Sequence, residues 1–101
     1  MLALLAVVSG PALSADFHKG LDAAKRGDYA IALKEWEPLA EQGHAIAQFN
    51  LGLLFERTDQ ASRDFKSALK WYTRAAGQGH AVAQLNLGGM YANGQIGRTH
   101  V

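Results

Sequence analysis

Two patterns of apolar residues divide the chain. Met1 to Val8 are apolar at every position, and Ser9-Gly10-Pro11 then break any helix. Beyond Ala15 the apolar positions recur three and four apart, the period of an amphipathic helix. Phe17, Leu21 and Ala24 make one such stripe. Tyr29, Ala32, Leu33, Trp36 and Ala40 make the next, followed by Ala45, Gln48, Leu51, Gly52 and Phe55. Phe65, Ala68, Leu69, Tyr72 and Ala76 form a fourth. The predicted helices are 16–26, 29–42, 45–57, 62–78 and 81–93. Gly43 and Gly79 fall just past two helix ends, where a left-handed residue is wanted. Asp28 and its repeat equivalent Asp64 read as N-cap residues, whose carboxylates can accept free backbone N–H groups. Pro38 lies inside the second helix and predicts a kink, because it deletes one backbone bond; Arg74 replaces it in the fourth helix.

The stripes are not independent. Gly43-His44-Ala45-Ile46-Ala47-Gln48-Phe49-Asn50-Leu51-Gly52 returns 36 residues later as Gly79-His80-Ala81-Val82-Ala83-Gln84-Leu85-Asn86-Leu87-Gly88, with eight of ten residues identical. The same offset aligns Asp28–Glu56 with Asp64–Ala92, and 14 of those 29 positions are identical. Such an internal period marks a repeat architecture. Short connections make neighbouring helices antiparallel, and helix pairs stacked at a fixed period make an α-solenoid. The expected fold is therefore all-α, about five helices in antiparallel pairs. Residues 16–26 read as a degenerate first helix of an earlier unit.

The pattern Ala-x-Ala-Gln-x-Asn-Leu-Gly-x-x-Tyr, followed by Ala-Leu-Lys-Trp-Tyr-x-x-Ala-Ala-x-x-Gly, resembles the Sel-one-like repeat family. Ala45–Phe55 and Ala81–Tyr91 carry the first element and Ala68–Gly79 the second. The plain tetratricopeptide repeat, with its shorter period of about 34 residues, is the alternative. The resemblance implies a tetratricopeptide-like superhelix whose first helices line a concave face. It implies a non-enzymatic scaffold that binds a peptide or partner protein there, and many bacterial members are exported. Some relatives are stapled by paired cysteines, a subgroup to which this cysteine-free chain does not conform.

The first fifteen residues read differently from this repeat region, which spans 16–94. They hold no charge, and Ala12-Leu13-Ser14 supply small residues for cleavage after Ser14, with cleavage after Ala15 as the alternative. The segment reads as a secretory signal, too short to span a bilayer, although no Lys or Arg follows Met1. The expected location is the periplasm of a Gram-negative bacterium. At the other end, 95–101 read as a loop-like tail. The last helix should then expose Leu85, Leu87 and Met90, to be covered by a second molecule or by the rest of a longer parent. A fragment with no independent function is a further reading.

Composition narrows the function. Ten Lys and Arg against nine Asp and Glu give a net charge of +1, which argues against a general nucleic-acid binder. The absence of cysteine removes thiolate metal sites and cysteine nucleophiles. The charge is nevertheless polarised: 16–56 sum to −3 and 57–101 to +4. Arg63, Lys66, Lys70 and Arg74 form a basic stripe, read chiefly as a solvated face.

Four side chains are the candidate partner-binding residues. Asn50 and Asn86 are repeat-equivalent and could bond a peptide backbone or a neighbouring helix. His44 and His80 are equivalent too, but packed helices lie about 8–10 Å apart, too far for two imidazoles to share one zinc, and no third ligand is evident. Their place at helix starts favours capping of free N–H groups. Ser67-Ala-Leu-Lys70 matches the Ser-x-x-Lys motif of serine β-lactamases, the basis of a hydrolase alternative acting on β-lactam or cell-wall substrates. The companion motifs are missing. No catalytic residue, metal or cofactor is assigned.

Overall fold

The computed structural model describes residues 15–57 and 64–93; the predicted signal segment up to Ser14, the start of the fourth predicted helix and the tail lie outside them. Among the described residues five helices follow in order: α1 (Phe17–Lys25), α2 (Tyr29–Glu41), α3 (Ala45–Arg57), α4 (Phe65–Gly77) and α5 (Ala81–Ala92). Each packs on its neighbours in the chain. Among the described residues no helix is long and apolar enough to cross a membrane.

Local chemistry sets the helix ends. Gly27, Gly43 and Gly79 all adopt positive φ, at 82°, 98° and 90°. After each, the next residue donates its N–H back to the last turn, as in His44 N to Leu39 O at 3.1 Å and His80 N to Ala75 O at 3.2 Å. This left-handed closure satisfies carbonyls the helix leaves free and reverses the chain within three residues. At the other ends, Asp16 accepts from Lys19 N and Asp64 from Ser67 N. Asp28 departs from expectation: it makes no side-chain cap bond, its backbone standing at φ −90° and ψ 75°. Pro38 sits in the final turn of α2, and the helix runs through it to Glu41.

The Asp64 cap is doubly bonded. Its Oδ1 accepts the Ser67 N–H at 3.0 Å and its Oδ2 accepts the Ser67 hydroxyl at 2.6 Å. The hydroxyl bond foremost, then the backbone bond, hold the Asp64 carboxyl below its ordinary value. A depressed folded pKa gives stability that is present above the unfolded value and lost as pH falls through the folded one. Ser67→Ala should therefore move the Asp64 titration upward and make unfolding begin at a higher pH on acidification. Carboxyl NMR titration together with acid-unfolding curves checks this.

The core is built from small residues and a few aromatics. Ala23, Ala32, Trp36, Ala40, Ala47, Leu51, Leu54 and Trp71 form one cluster; Ala68, Tyr72, Ala75, Ala83 and Met90 form the second. Alanine and glycine at the contacts let the helices approach closely, so that rings fill the gaps. Four expectations change here. Tyr29 is 40% exposed and lies outside the buried stripe. In α4 the buried aromatic face includes Trp71 and Ala75, while Phe65, Leu69 and Ala76 are half-buried. The basic stripe is partly packing: Lys70 Nζ lies 4.5 Å and Arg74 Cζ 4.9 Å from the Trp71 ring centroid. On α5, Leu85 is exposed as expected, but Leu87 is half-buried and Met90 is buried at 1%, both drawn into the cluster that holds Tyr72 and Ala83.

α1 is the first helix of an earlier unit, and geometry proves the equivalence. Trp36 faces Gly20 and Tyr72 faces Gly52, with a built Cβ meeting either ring at 2.4 Å. Phe17 stacks on Trp36 and on His44; Phe49 lies against Tyr72 and stacks on His80. The offset between α1 and α3 is thus 32 residues, while that between α2 and α4 is 36. The connection after α1 is four residues shorter, which accounts for the slip. Phe17-x-x-Gly20-Leu21 against Phe49-x-x-Gly52-Leu53 is the signal in the sequence.

Candidate binding site

The two histidines serve the stack. His44 Nδ1 accepts the Ala47 N–H at 3.0 Å, and His80 Nδ1 accepts the Ala83 N–H at 3.1 Å. Each imidazole thus caps its helix as the neutral form protonated on Nε2. The rings also lie flat on the preceding unit, His44 on Phe17 at 5.4 Å and His80 on Phe49 at 4.6 Å between centroids. One side chain therefore ends one helix and fastens it to an earlier one. Three glutamines do similar work: Gln48 donates to Ala40 O, Gln84 to Ala76 O, and Gln78 to both Gly43 O and Gln48 Oε1.

The motif residues Ser67 and Lys70 are not brought together as nucleophile and base. The Ser67 hydroxyl donates to Asp64, and the Lys70 ammonium lies over Trp71.

The asparagines diverge. Asn86 Nδ2 is 3.4 Å from the Tyr72 hydroxyl, which donates to Glu56 Oε1 at 2.6 Å. A continuous chain Glu56–Tyr72–Asn86 thus closes the second unit between α3, α4 and α5. In the first unit the matching residues are Ala24, Trp36 and Asn50. Alanine lacks the carboxylate. The indole has no hydroxyl, and its Nε1–H is spent on Phe17 O at 3.1 Å. Asn50 is half-buried, and among the described residues its carboxamide has no hydrogen-bond partner.

A cavity of about 280 Å³ opens at that position, walled by Leu21, Ala24 and Lys25 of α1, Tyr29 and Trp36 of α2, and Asn50, Leu53 and Leu54 of α3. Its lining residues are apolar or aromatic except for Asn50 and Lys25, a combination suited to recognition. Periodicity alone could not find it, because the pocket arises where the two copies differ and not where they agree.

A family model for the Sel1 repeat, a non-catalytic module of protein–protein interaction, matches residues 45–80 and 81–99. No curated protein and no solved structure matches the chain. The unit formed by α1 and α2 precedes the matched span, yet it repeats the same ring-on-glycine and ring-on-histidine contacts. With five helices in stacked pairs and more than half its length matched, the chain belongs to the Sel1 repeat family.

Proposed function

We propose that this protein is a binding module that captures an extended segment of a partner protein, with the cavity between α1, α2 and α3 as the anchoring site. The carboxamide of Asn50, without a hydrogen-bond partner among the described residues and beside an apolar cavity, carries this reading. A large apolar side chain of the partner fills the space over Trp36, Leu53 and Leu54. Asn50 offers a donor and an acceptor to the partner's backbone. Lys25, the charged residue of the lining, favours an acid next to the anchor. The equivalent place in the second unit is closed by its own Glu56–Tyr72–Asn86 chain, so the two repeats have different tasks.

The test is comparative. Peptides selected from a random displayed library on the intact protein are measured against three variants. Asn50→Ala should weaken binding about tenfold, corresponding to roughly 1–2 kcal/mol for a lost buried hydrogen bond. Ala24→Phe, which fills the cavity, should abolish it. Asn86→Ala should leave affinity unchanged. Equal affinity for wild type and Ala24→Phe would reject the site.

A further inference from the structure

Glu35 is a carboxylate in an apolar place. The residue is 7% exposed, and its repeat equivalent 36 positions on is Trp71, exposed by 2%. The second unit thus fills with an indole the position where the first buries an acid. Burying a carboxylate is unfavourable unless a positive charge or several donors meet it. Its Oε2 lies 3.5 Å from Lys19 Nζ, but that side chain is 63% exposed and such a pair contributes little. Its Oε1 accepts, at 2.9 Å, the backbone N–H of Asp16.

That nitrogen stands at a telling place in the sequence. The charge-free apolar run Met1–Val8, the break at Ser9-Gly10-Pro11 and the small residues Ala12, Ser14 and Ala15 all precede it. This is the order of a secretory leader and its cleavage region: Ala12 and Ser14 stand at −3 and −1 for cleavage after Ser14, Leu13 and Ala15 for cleavage after Ala15, and the contact of Glu35 with the Asp16 nitrogen favours the second. α1 begins one residue later, at Phe17.

We propose that the Ala15–Asp16 bond is a processing site and that Glu35 is the receptor for the α-ammonium group released there. Water adds across the amide under a signal peptidase. Ala15 leaves with a carboxylate, and the Asp16 nitrogen takes up a proton to become an ammonium ion at neutral pH. The atom already in contact with Glu35 thereby changes from a neutral donor with one hydrogen into a cation with three. A charge-assisted bond at that separation is about twice as strong as a neutral one. Positive charge is unwelcome at a helix N-terminus; Glu35 and the Asp16 carboxylate, which accepts from Lys19 N, offset it. Export and the docking of α1 are thus one event: removing the leader completes the ion pair that fixes the first helix to α2. This inference stands apart from the binding site.

The full chain is expressed in a Gram-negative host, the periplasmic protein recovered, and its N-terminus read by intact mass and sequencing. The expected chain starts at Asp16; a start at Ala15, or a retained leader, would overturn the proposal. The recovered protein is then acetylated at mildly acidic pH, where the α-amine reacts ahead of lysine. Acetylation should lower Tm by roughly 3–6 °C in wild type and by under about 1 °C in Glu35→Gln, which keeps the oxygen acceptor but not the charge. An equal shift in both proteins, or none in wild type, would refute it.

Discussion

Gly52→Ala should destabilise the domain by about 2 kcal/mol, while the same substitution at Gly88, the equivalent residue one repeat later, should stabilise it by about 0.8–1 kcal/mol. Alanine is the better helix former at both sites, by about 1 kcal/mol. The surroundings reverse the sign at one of them. A Cβ on Gly52 would stand 2.4 Å from Tyr72 Cδ1 and Cε1, whereas a Cβ on Gly88 meets nothing within 4 Å. The Tyr72 ring cannot swing aside, because it is fully buried and its hydroxyl is held by Glu56 at 2.6 Å. Overpacking against such a ring costs about 3 kcal/mol, which outweighs the propensity gain. For a domain of this size the expected changes in Tm are a fall of roughly 8–16 °C and a rise of roughly 4–8 °C. Thermal unfolding of the two variants decides it; a stabilised Gly52→Ala protein would mean that α3 and α4 do not approach as described.

The largest loss should come from Trp36→Ala, about 3–5 kcal/mol. The indole is 3% exposed, stacks on Phe17 at 5.9 Å, and fills the space over Gly20. Its removal also leaves Phe17 O without the Nε1–H donor. Small domains have only about 5–15 kcal/mol in total, so α1 should detach first. Hydrogen exchange in α1 should rise well before exchange in α4. Trp36→Phe keeps most of the volume and should recover more than half of the loss, which separates packing from the single hydrogen bond. Uniform exchange across all five helices in Trp36→Ala would contradict a first unit held chiefly by this ring.

Much of the architecture is legible in the sequence. The 36-residue self-match located the helix pairs, and the glycines at 43 and 79 marked two of the reversals. The predicted ends of the helices agree with the structure to within a residue or two wherever the residues are described. Packing was less legible. A helix inside a stack touches neighbours on two sides, so a single apolar stripe understates what it buries. That is why Trp71 is in the core although the stripe ran through Leu69. Asp28 failed as a cap for a different reason: capping depends on the backbone angles just before the helix, which composition does not specify.

The candidate site shows the same division. Asn50 and Asn86 were equal as letters, and so were His44 and His80. The histidines remained equal in the structure, because their partners, a backbone N–H three residues on and a phenylalanine one unit back, are present in both copies. The asparagines did not. Each depends on the aromatic residue fourteen positions earlier, and a phenol offers an oxygen where an indole presents carbon.

The sequence by itself determined a helical repeat with its period, its breaks and its family, because those follow from local spacing and from the likeness of one copy to the next. Only the tertiary structure decided that one copy closes on its own Glu56–Tyr72–Asn86 chain and that the other leaves Asn50 beside a cavity. Those outcomes depend on which side chains meet across helices and on how far each can reach, and neither quantity is written in the period.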